Sequence, residues 1–184
     1  MQFSCKKSIF IYIFAIILIN LIEKENNISK FDIDATDLKI LKKLQVKARI
    51  SNIDLAADVG ISPSACLRRV RELESNGVIN KYVTIINPLI LGLGVTVMIS
   101  VTLEQQVEKA LESFEKAVRE WPEIMETYLM TGDSDYLLRV VVSDLPAYEK
   151  FLMERLTKLP GISSIKSSFA LKEILHRTAL PIKV

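Results

Sequence analysis

The stretch ISPSACLRRVRELESNGVI (residues 61–79) places Arg68, Arg69 and Arg71 within four positions of a segment patterned as a helix. Ser62 is a strong N-cap residue, Pro63 suits the first helical position, and Gly77 follows the last turn. Wound at about 100° per residue, Cys66, Val70 and Leu73 share one face. Ser64, Arg68 and Arg71 fall opposite that face, Arg69 and Glu72 flank it, and Leu67 sits on a shoulder. Small residues at the start of a helix permit close approach to a base edge, and the helix dipole favours phosphate there. Arginine takes guanine bidentately or holds phosphate. The competing reading is a solvated face with an Arg68–Glu72 ion pair.

The preceding residues favour the nucleic-acid reading. In DIDATDLKILKKLQVKARI, Leu38, Leu41 and Leu44 recur by threes and Ile40 and Leu44 by four, a helical stripe capped by Asp34 with Asp37 in the first turn. SNIDLAADVG follows. Ser51 or Asn52 caps it, Ile53, Leu55, Ala56 and Val59 are its apolar positions, and Gly60 ends it. Helix, short Gly-containing turn, helix is the helix-turn-helix pattern. GVINKYVTIINP then alternates like a short hairpin or wing, with Lys81 placed for a phosphate.

Charge alone does not select a partner. Residues 31–86 hold nine Lys/Arg against seven Asp/Glu, and residues 87–184 hold eleven against thirteen. A DNA-binding role therefore rests on placement. Cys5, Cys66 and the single His176 have no metal-ligand spacing, so neither a metal nor a cofactor is expected. His176 reads as a surface residue or a partner of Glu173.

Downstream, NPLILGLG (residues 87–94) is a Pro/Gly-punctuated hinge. VTVMISVTL predicts a strand. EQQVEKALESFEKAVREW predicts an amphipathic helix with Phe114, Val118 and Trp121 inward. IMETYLMTG and YLLRVVVS predict a hairpin across GDSD, LPAYEKFLMERLTKL a helix, and ISSIKSSFALKE a last strand. Met125, Met130 and Met153 are expected in the core. The order β-α-β-β-α-β is the split, ferredoxin-like arrangement. Its helices cover one sheet face, and apolar residues on the other face predict burial against a second copy.

Residues 1–30 stand apart. The apolar run from Ser8 to Ile22 would span about 22 Å as a helix, against a hydrocarbon core of roughly 30 Å. It carries no small-x-small cleavage site. It is expected to be an extension from an upstream start, the alternatives being a secretory or anchoring segment and a poorly patterned core helix. With Lys6 and Lys7 inside, an anchor would put the rest of the chain outside, so a membrane partner is not expected.

From Phe31 onward the chain resembles the Lrp/AsnC (leucine-responsive, feast/famine) transcription regulators. The resemblance is carried by Asp34-Ala-Thr-Asp37-Leu-Lys-Ile40-Leu41, by ARISNIDLAADVGISPSACLRRVRELESNGVI, by the Asn-Pro and Leu-Gly of the hinge, by TGDSDYLLRV and by LPGI. It implies an α+β protein: an N-terminal winged helix-turn-helix (31–86) that binds double-stranded DNA, a hinge (87–94), and a C-terminal ferredoxin-like βαββαβ domain (95–184) for dimerisation and effector binding. It implies DNA contacts from Ser62, Ser64, Arg68, Arg69 and Arg71. It implies an amino-acid or related effector near Thr131, Gly132, Asp133, Asp135 and Tyr136, with Leu129, Ser168 and Ala170. Gly132 would allow close backbone approach, neighbouring N–H groups would meet a carboxylate, and Asp133 or Asp135 an ammonium. Read without the family, GDSD is an ordinary capped hairpin turn. The expected protein is a cytoplasmic, homo-oligomeric regulator and not an enzyme, since nothing supplies a nucleophile, metal set or phosphate loop. The alternatives are a small-molecule sensor with a vestigial reader, and a membrane-tethered regulator.

Overall fold

Helix α1 (Ala35–Val46) starts at a reciprocal cap. The Asp34 carboxylate accepts from the backbone N–H of Thr36 and Asp37, each at 2.8 Å, and Asp37 accepts from the Asp34 N–H at 3.2 Å. It opens the part of the chain described by the computed structural model, residues 31–183. The amino-terminal apolar segment lies outside the described residues. Two units are distinguished among these residues: 31–84 together with 175–183, and Ile85–Ile174.

In the first unit, α2 (Asn52–Val59) is capped by Ser51, and α3 (Pro63–Ser75) by Ser62. Gly60 makes the turn between them in the left-handed region, at φ +80°, where a side chain would be strained. The Asn52 side-chain amide donates to the Pro63 carbonyl at 2.8 Å and ties the two helix starts together. Ile40, Leu55, Ala56, Val59, Cys66 and Leu73 form the core, with Leu44 and Val70 against it. Burial pushes the Cys66 thiol above its ordinary value. Ile53, one of the apolar positions of this helix, is 69% exposed. It lies in the first turn of α2, on the side away from Leu55, Ala56 and Val59.

Arg69 reaches from α3 to the start of α1. Its Nη1 donates to Asp34 Oδ2 and Asp37 Oδ1, both at 2.8 Å, and the Asp37 side chain is only 5% exposed. The bond from the Asp37 backbone, and then the Arg69 guanidinium, hold the Asp34 carboxyl below its usual range.

Residues 80–87, expected as a short hairpin or wing, form no strand ladder among the described residues. Tyr82 donates to Glu74 at 2.9 Å, and burial, with that carboxylate, pushes its phenol to about 12. Residues 175–183 group with the first unit. Gln45 of α1 accepts from the Leu180 N–H at 2.6 Å and donates to its carbonyl at 3.4 Å, which draws the tail onto the first unit.

The second unit runs β1 (Val95–Leu103), α4 (Glu108–Arg119), β2 (Ile124–Leu129), β3 (Tyr136–Val142), α5 (Leu145–Glu154) and β4 (Ile162–Phe169). The sheet order is β2-β3-β1-β4, and every neighbouring pair is antiparallel. The ferredoxin-like order is thus the one the sequence predicts. The expected 87–94 hinge falls inside this unit, as a short 3-10 turn at Pro88–Leu91 closed by Gly92. Val97, Ile99 and Val101 of β1 and Leu138 and Val140 of β3 are fully buried with Phe114, Val118, Tyr148 and Phe151 of the helices. Trp121 meets Phe151 edge-on at 5.7 Å.

The alternate residues of the sheet point away from the helices. Thr96, Met98 and Ser100 there lie opposite Val141, Arg139 and Leu137. That face is therefore mixed, with Met98, Leu137 and Val141 among hydroxyl residues, not broadly apolar as expected. Arg139 Nη2 pairs with Glu126 at 2.6 Å across β2 and β3. Met125 and Met153, expected in the core, are more than half exposed, and Met130 is 38% exposed. Met125 sits at the register shift between Ile124 and Glu126, which interrupts the alternation of β2.

Replacing Arg69 with alanine should destabilise the first unit by about 1–3 kcal/mol, because the buried Asp37 carboxylate loses its charged donor. Thermal unfolding followed by circular dichroism checks this. Arg71→Ala, on the exposed side of the same helix, should leave the midpoint unchanged.

Candidate functional site

The outer side of α3 is a shallow groove lined by Ser64, Leu67, Arg68, Arg71, Glu72 and Ser75. Ser62 and Ser64 stand at its head, their hydroxyls 3.2 Å apart, and Ser62 caps the Ala65 N–H. Arg68 is largely exposed and pairs with Glu72 at 2.7 Å one helical turn on. The ion pair of the competing reading is therefore present. Such a surface pair contributes little, and its arginine stays free to exchange a carboxylate for a phosphate or a base. Arg71 is exposed on the same side. Arg69 is not part of this surface. Its place beside the core stripe turns it toward Asp34 and Asp37, which also raise its already high pKa through their hydrogen bonds, Asp37 first. The five residues thus separate into four on one surface and one structural arginine.

The second group lies around the β2–β3 turn. The Met130 N–H donates to the Asp135 carbonyl at 2.8 Å, and the Asp135 N–H to the Val101 carbonyl at 2.9 Å, closing the turn. Thr131, Gly132 and Asp133 are exposed at its tip, and Gly132 has φ +137° with open space where a Cβ would be. Thr102 donates to the Asp133 carbonyl at 3.4 Å. Asp135 points inward. One carboxylate oxygen accepts from the Leu103 N–H at 2.7 Å and the other from the Gln106 amide, so this buried carboxylate fixes the connection from β1 to α4. Tyr136 is buried as well, stacked on Phe114 at 4.5 Å and donating to Glu115 at 3.1 Å. Burial, and then the Glu115 charge, push its phenol above the ordinary range.

Within one chain the effector candidates do not converge. Ser168 pairs with Met98, and the Ala170 N–H donates to the Thr96 carbonyl. The turn is held at the Val101–Leu103 end, roughly 10–20 Å away along β1. Leu129 lies elsewhere again. It lines a cleft of about 420 Å³ between α4 and the outer edge of β2, with Glu115, Val118, Arg119, Ile124 and Met125. Tyr136 lines it too, so two effector candidates meet here, whereas Glu115 and Arg119 were not singled out from the sequence. The one available signal was the opposite charge of Glu115 and Arg119 at i,i+4 on a helix whose other face is apolar.

Comparison with known proteins agrees with both halves. A winged helix-turn-helix DNA-binding family matches residues 33–80, and the Lrp/AsnC ligand binding domain matches residues 96–180. The Bkd operon transcriptional regulator of Pseudomonas aeruginosa is 44% identical over 82% of this chain and 99% of its own length. The leucine-responsive regulatory protein of Escherichia coli K12 is 40% identical over 83% of this chain and 93% of its own. Among solved structures, a transcriptional regulator from Neisseria meningitidis in complex with L-Met superposes with a TM-score of 0.77 at 39% identity. That match covers 80% of this chain and 96% of the other. A feast or famine regulatory protein from M. tuberculosis complexed with L-methionine gives 0.71 at 27% identity, over 82% and 99%. Likeness in sequence, over nearly the whole length of these regulators and across both units, means that this chain belongs to the Lrp/AsnC family of transcriptional regulators.

Proposed function

We propose that the chain regulates transcription by placing α3 in the major groove of DNA, with Ser62 and Ser64 at the phosphate backbone, Arg68 on a base edge and Arg71 on a phosphate. The observation that carries this is the exposed side of α3, where small residues and two arginines follow a glycine-closed turn. Arg69 supports the reader from behind. In this reading a second copy covers the open sheet face, and dimers place two readers on two half-sites. The carboxy-terminal unit takes an amino acid, in line with relatives that were crystallised with L-methionine. The exposed residues of the 131–133 turn and Leu129 on one subunit, and Ser168 and Ala170 on another, are the candidates for a shared site. Asp135 and Tyr136 serve by shaping the turn. The protein acts in the cytoplasm, where its DNA lies, and no helix among the described residues is long and apolar enough to cross a membrane.

Arg68→Ala should cost about 1–3 kcal/mol on the preferred sequence and relax the preference for it. Arg71→Ala should weaken all sequences evenly and flatten the salt dependence by about one unit. Binding titrations on specific and scrambled duplexes at several salt concentrations separate the two, and parental behaviour of both variants would refute the assignment.

Val141→Asp puts a charge on the open face without touching the core. It should sediment as a monomer, and DNA affinity should fall with the loss of the linked second reader. Retention of parental affinity for a two-half-site operator by a monomer would contradict this.

For the effector, Asp133→Asn should leave DNA binding intact and reduce its response to amino acids. Calorimetry with the twenty amino acids is the check, and absence of any binding to the parent protein would remove the effector from this reading.

A further inference from the structure

We propose that the outer side of α1 is a second DNA-binding surface, which holds the phosphate backbone of a duplex segment other than the one α3 reads. The proposal rests on the reading of α3 as a DNA reader, and adds a place and a mode of contact that α3 does not supply.

Wound as a helix, α1 turns Ile40 and Leu44 to the core, where Ile40 is fully buried alongside Cys66 and Leu73 of α3. Lys39, Lys42 and Val46 fall on the opposite side, and Lys47 and Arg49 follow where the helix ends. All five are exposed, Val46 by 84%, so nothing among the described residues covers this side. Because α1 and α3 turn apolar stripes to one shared core, their outer sides face away from each other across it. The lysines are therefore turned away from a duplex seated on α3.

The positive charge here is uncompensated. Among the described residues, none of Lys39, Lys42, Lys47 and Arg49 takes part in an ion pair. The carboxylates of the unit are engaged elsewhere: Asp34 and Asp37 with Arg69, Asp58 with Lys43, Glu72 with Arg68, Asp54 with Ser51 and Glu74 with Tyr82. The helix dipole accounts for a cation in the last turn, as at Lys43, but not for Lys39 nearer the start. Lys39 and Lys42, three positions apart, repel each other, so the face opposes folding until an anion meets it.

Side-chain chemistry and spacing select the anion. Lysine is a compact point charge that meets a phosphate without fixed geometry, whereas the planar fork of arginine suits a base edge. From Lys39 to Lys47 is about 12 Å along the helix, over which one strand of B-DNA presents three or four phosphates at about 3.4 Å each. A row of cations thus faces a row of anions, which an acidic protein surface does not offer at so regular a spacing. The arginines and small residues of α3 read sequence, and the lysines of α1 grip backbone. One chain then holds two duplex segments, and draws DNA back across the far side of its reader.

The test uses the full chain, a short duplex of the preferred sequence, and a tagged duplex of unrelated sequence that reports capture of a second segment. One variant combines Lys39→Gln, Lys42→Gln, Lys47→Gln and Arg49→Gln, none of which touches the core. It should keep its thermal midpoint and its affinity for the short duplex, and lose capture of the second about tenfold or more. Its salt dependence on long DNA should flatten by about three units, since each phosphate contact contributes about 0.9. Arg68→Ala combined with Arg71→Ala should lose sequence preference yet still bind the unrelated duplex, because α1 remains. Two readers in one assembly also hold two duplexes, so the monomer expected of Val141→Asp separates the cases, and it should still capture both. If the glutamine variant captures the second duplex as the parent does, or if Val141→Asp captures none, the α1 surface is refuted while the reading of α3 stands. Altered sedimented mass with unaltered capture would make the face a contact between copies and overturn the proposal as well. If the parent binds no duplex, the reading of α3 fails and this surface with it.

Discussion

One guanidinium between two carboxylates decides how the amino-terminal unit is built. Arg69 joins the middle of α3 to the capping box of α1, and one of its two partners is almost fully buried. A carboxylate at that depth is costly unless a charged donor meets it. The pair therefore fixes the rotation of α3 about its own axis relative to α1. With that rotation set, Cys66, Val70 and Leu73 must face the core, and Ser64, Arg68 and Arg71 must face out. The reading surface is thus specified from behind, by a residue that does not itself reach it.

The carboxy-terminal unit repeats the device. Asp135 sits in a turn rich in exposed polar groups, yet both of its oxygens are spent on the backbone of Leu103 and the amide of Gln106. It holds the start of the β1–α4 connection against the start of β3. Tyr136 beside it is directed under α4, where it orients Glu115. Two residues of the GDSDY motif thus shape the turn, and Thr131, Gly132 and Asp133 are the ones it presents.

Much of this was legible in the sequence because period and capping are local. Asp34, Ser51, Ser62 and Gly60 mark helix ends through their own side chains or backbone, and the β-branched run VTVMISVTL marks a strand. The helical wheel also placed Arg68 and Arg71 outward. What sequence could not separate was two arginines one position apart. Arg68 and Arg69 differ only by the 100° or so that one residue turns, and which is structural depends on a carboxylate more than thirty positions away. Met125, Met130 and Met153 were misplaced for a similar reason. Hydrophobicity predicts burial only where another element lies over the residue, and edge strand β2 and the end of α5 have none. The carboxy-terminal tail follows from a single distant side chain, Gln45, that no local pattern announces.

The mixed character of the open sheet face bears on how such a surface can recognise a copy of itself. A wholly apolar face would adhere to many surfaces. Here the row across the sheet runs Glu126, Arg139, Met98 and Ser168, so any partner that buries Met98 must also accommodate an ion pair and a hydroxyl. Burying the pair costs desolvation that only matching polar groups offset. Such a row contributes less to affinity than to selectivity, because a shifted or foreign partner would leave those groups unmatched. The Arg139–Glu126 pair thus imposes geometry on this face as the Arg69 pairs do in the first unit.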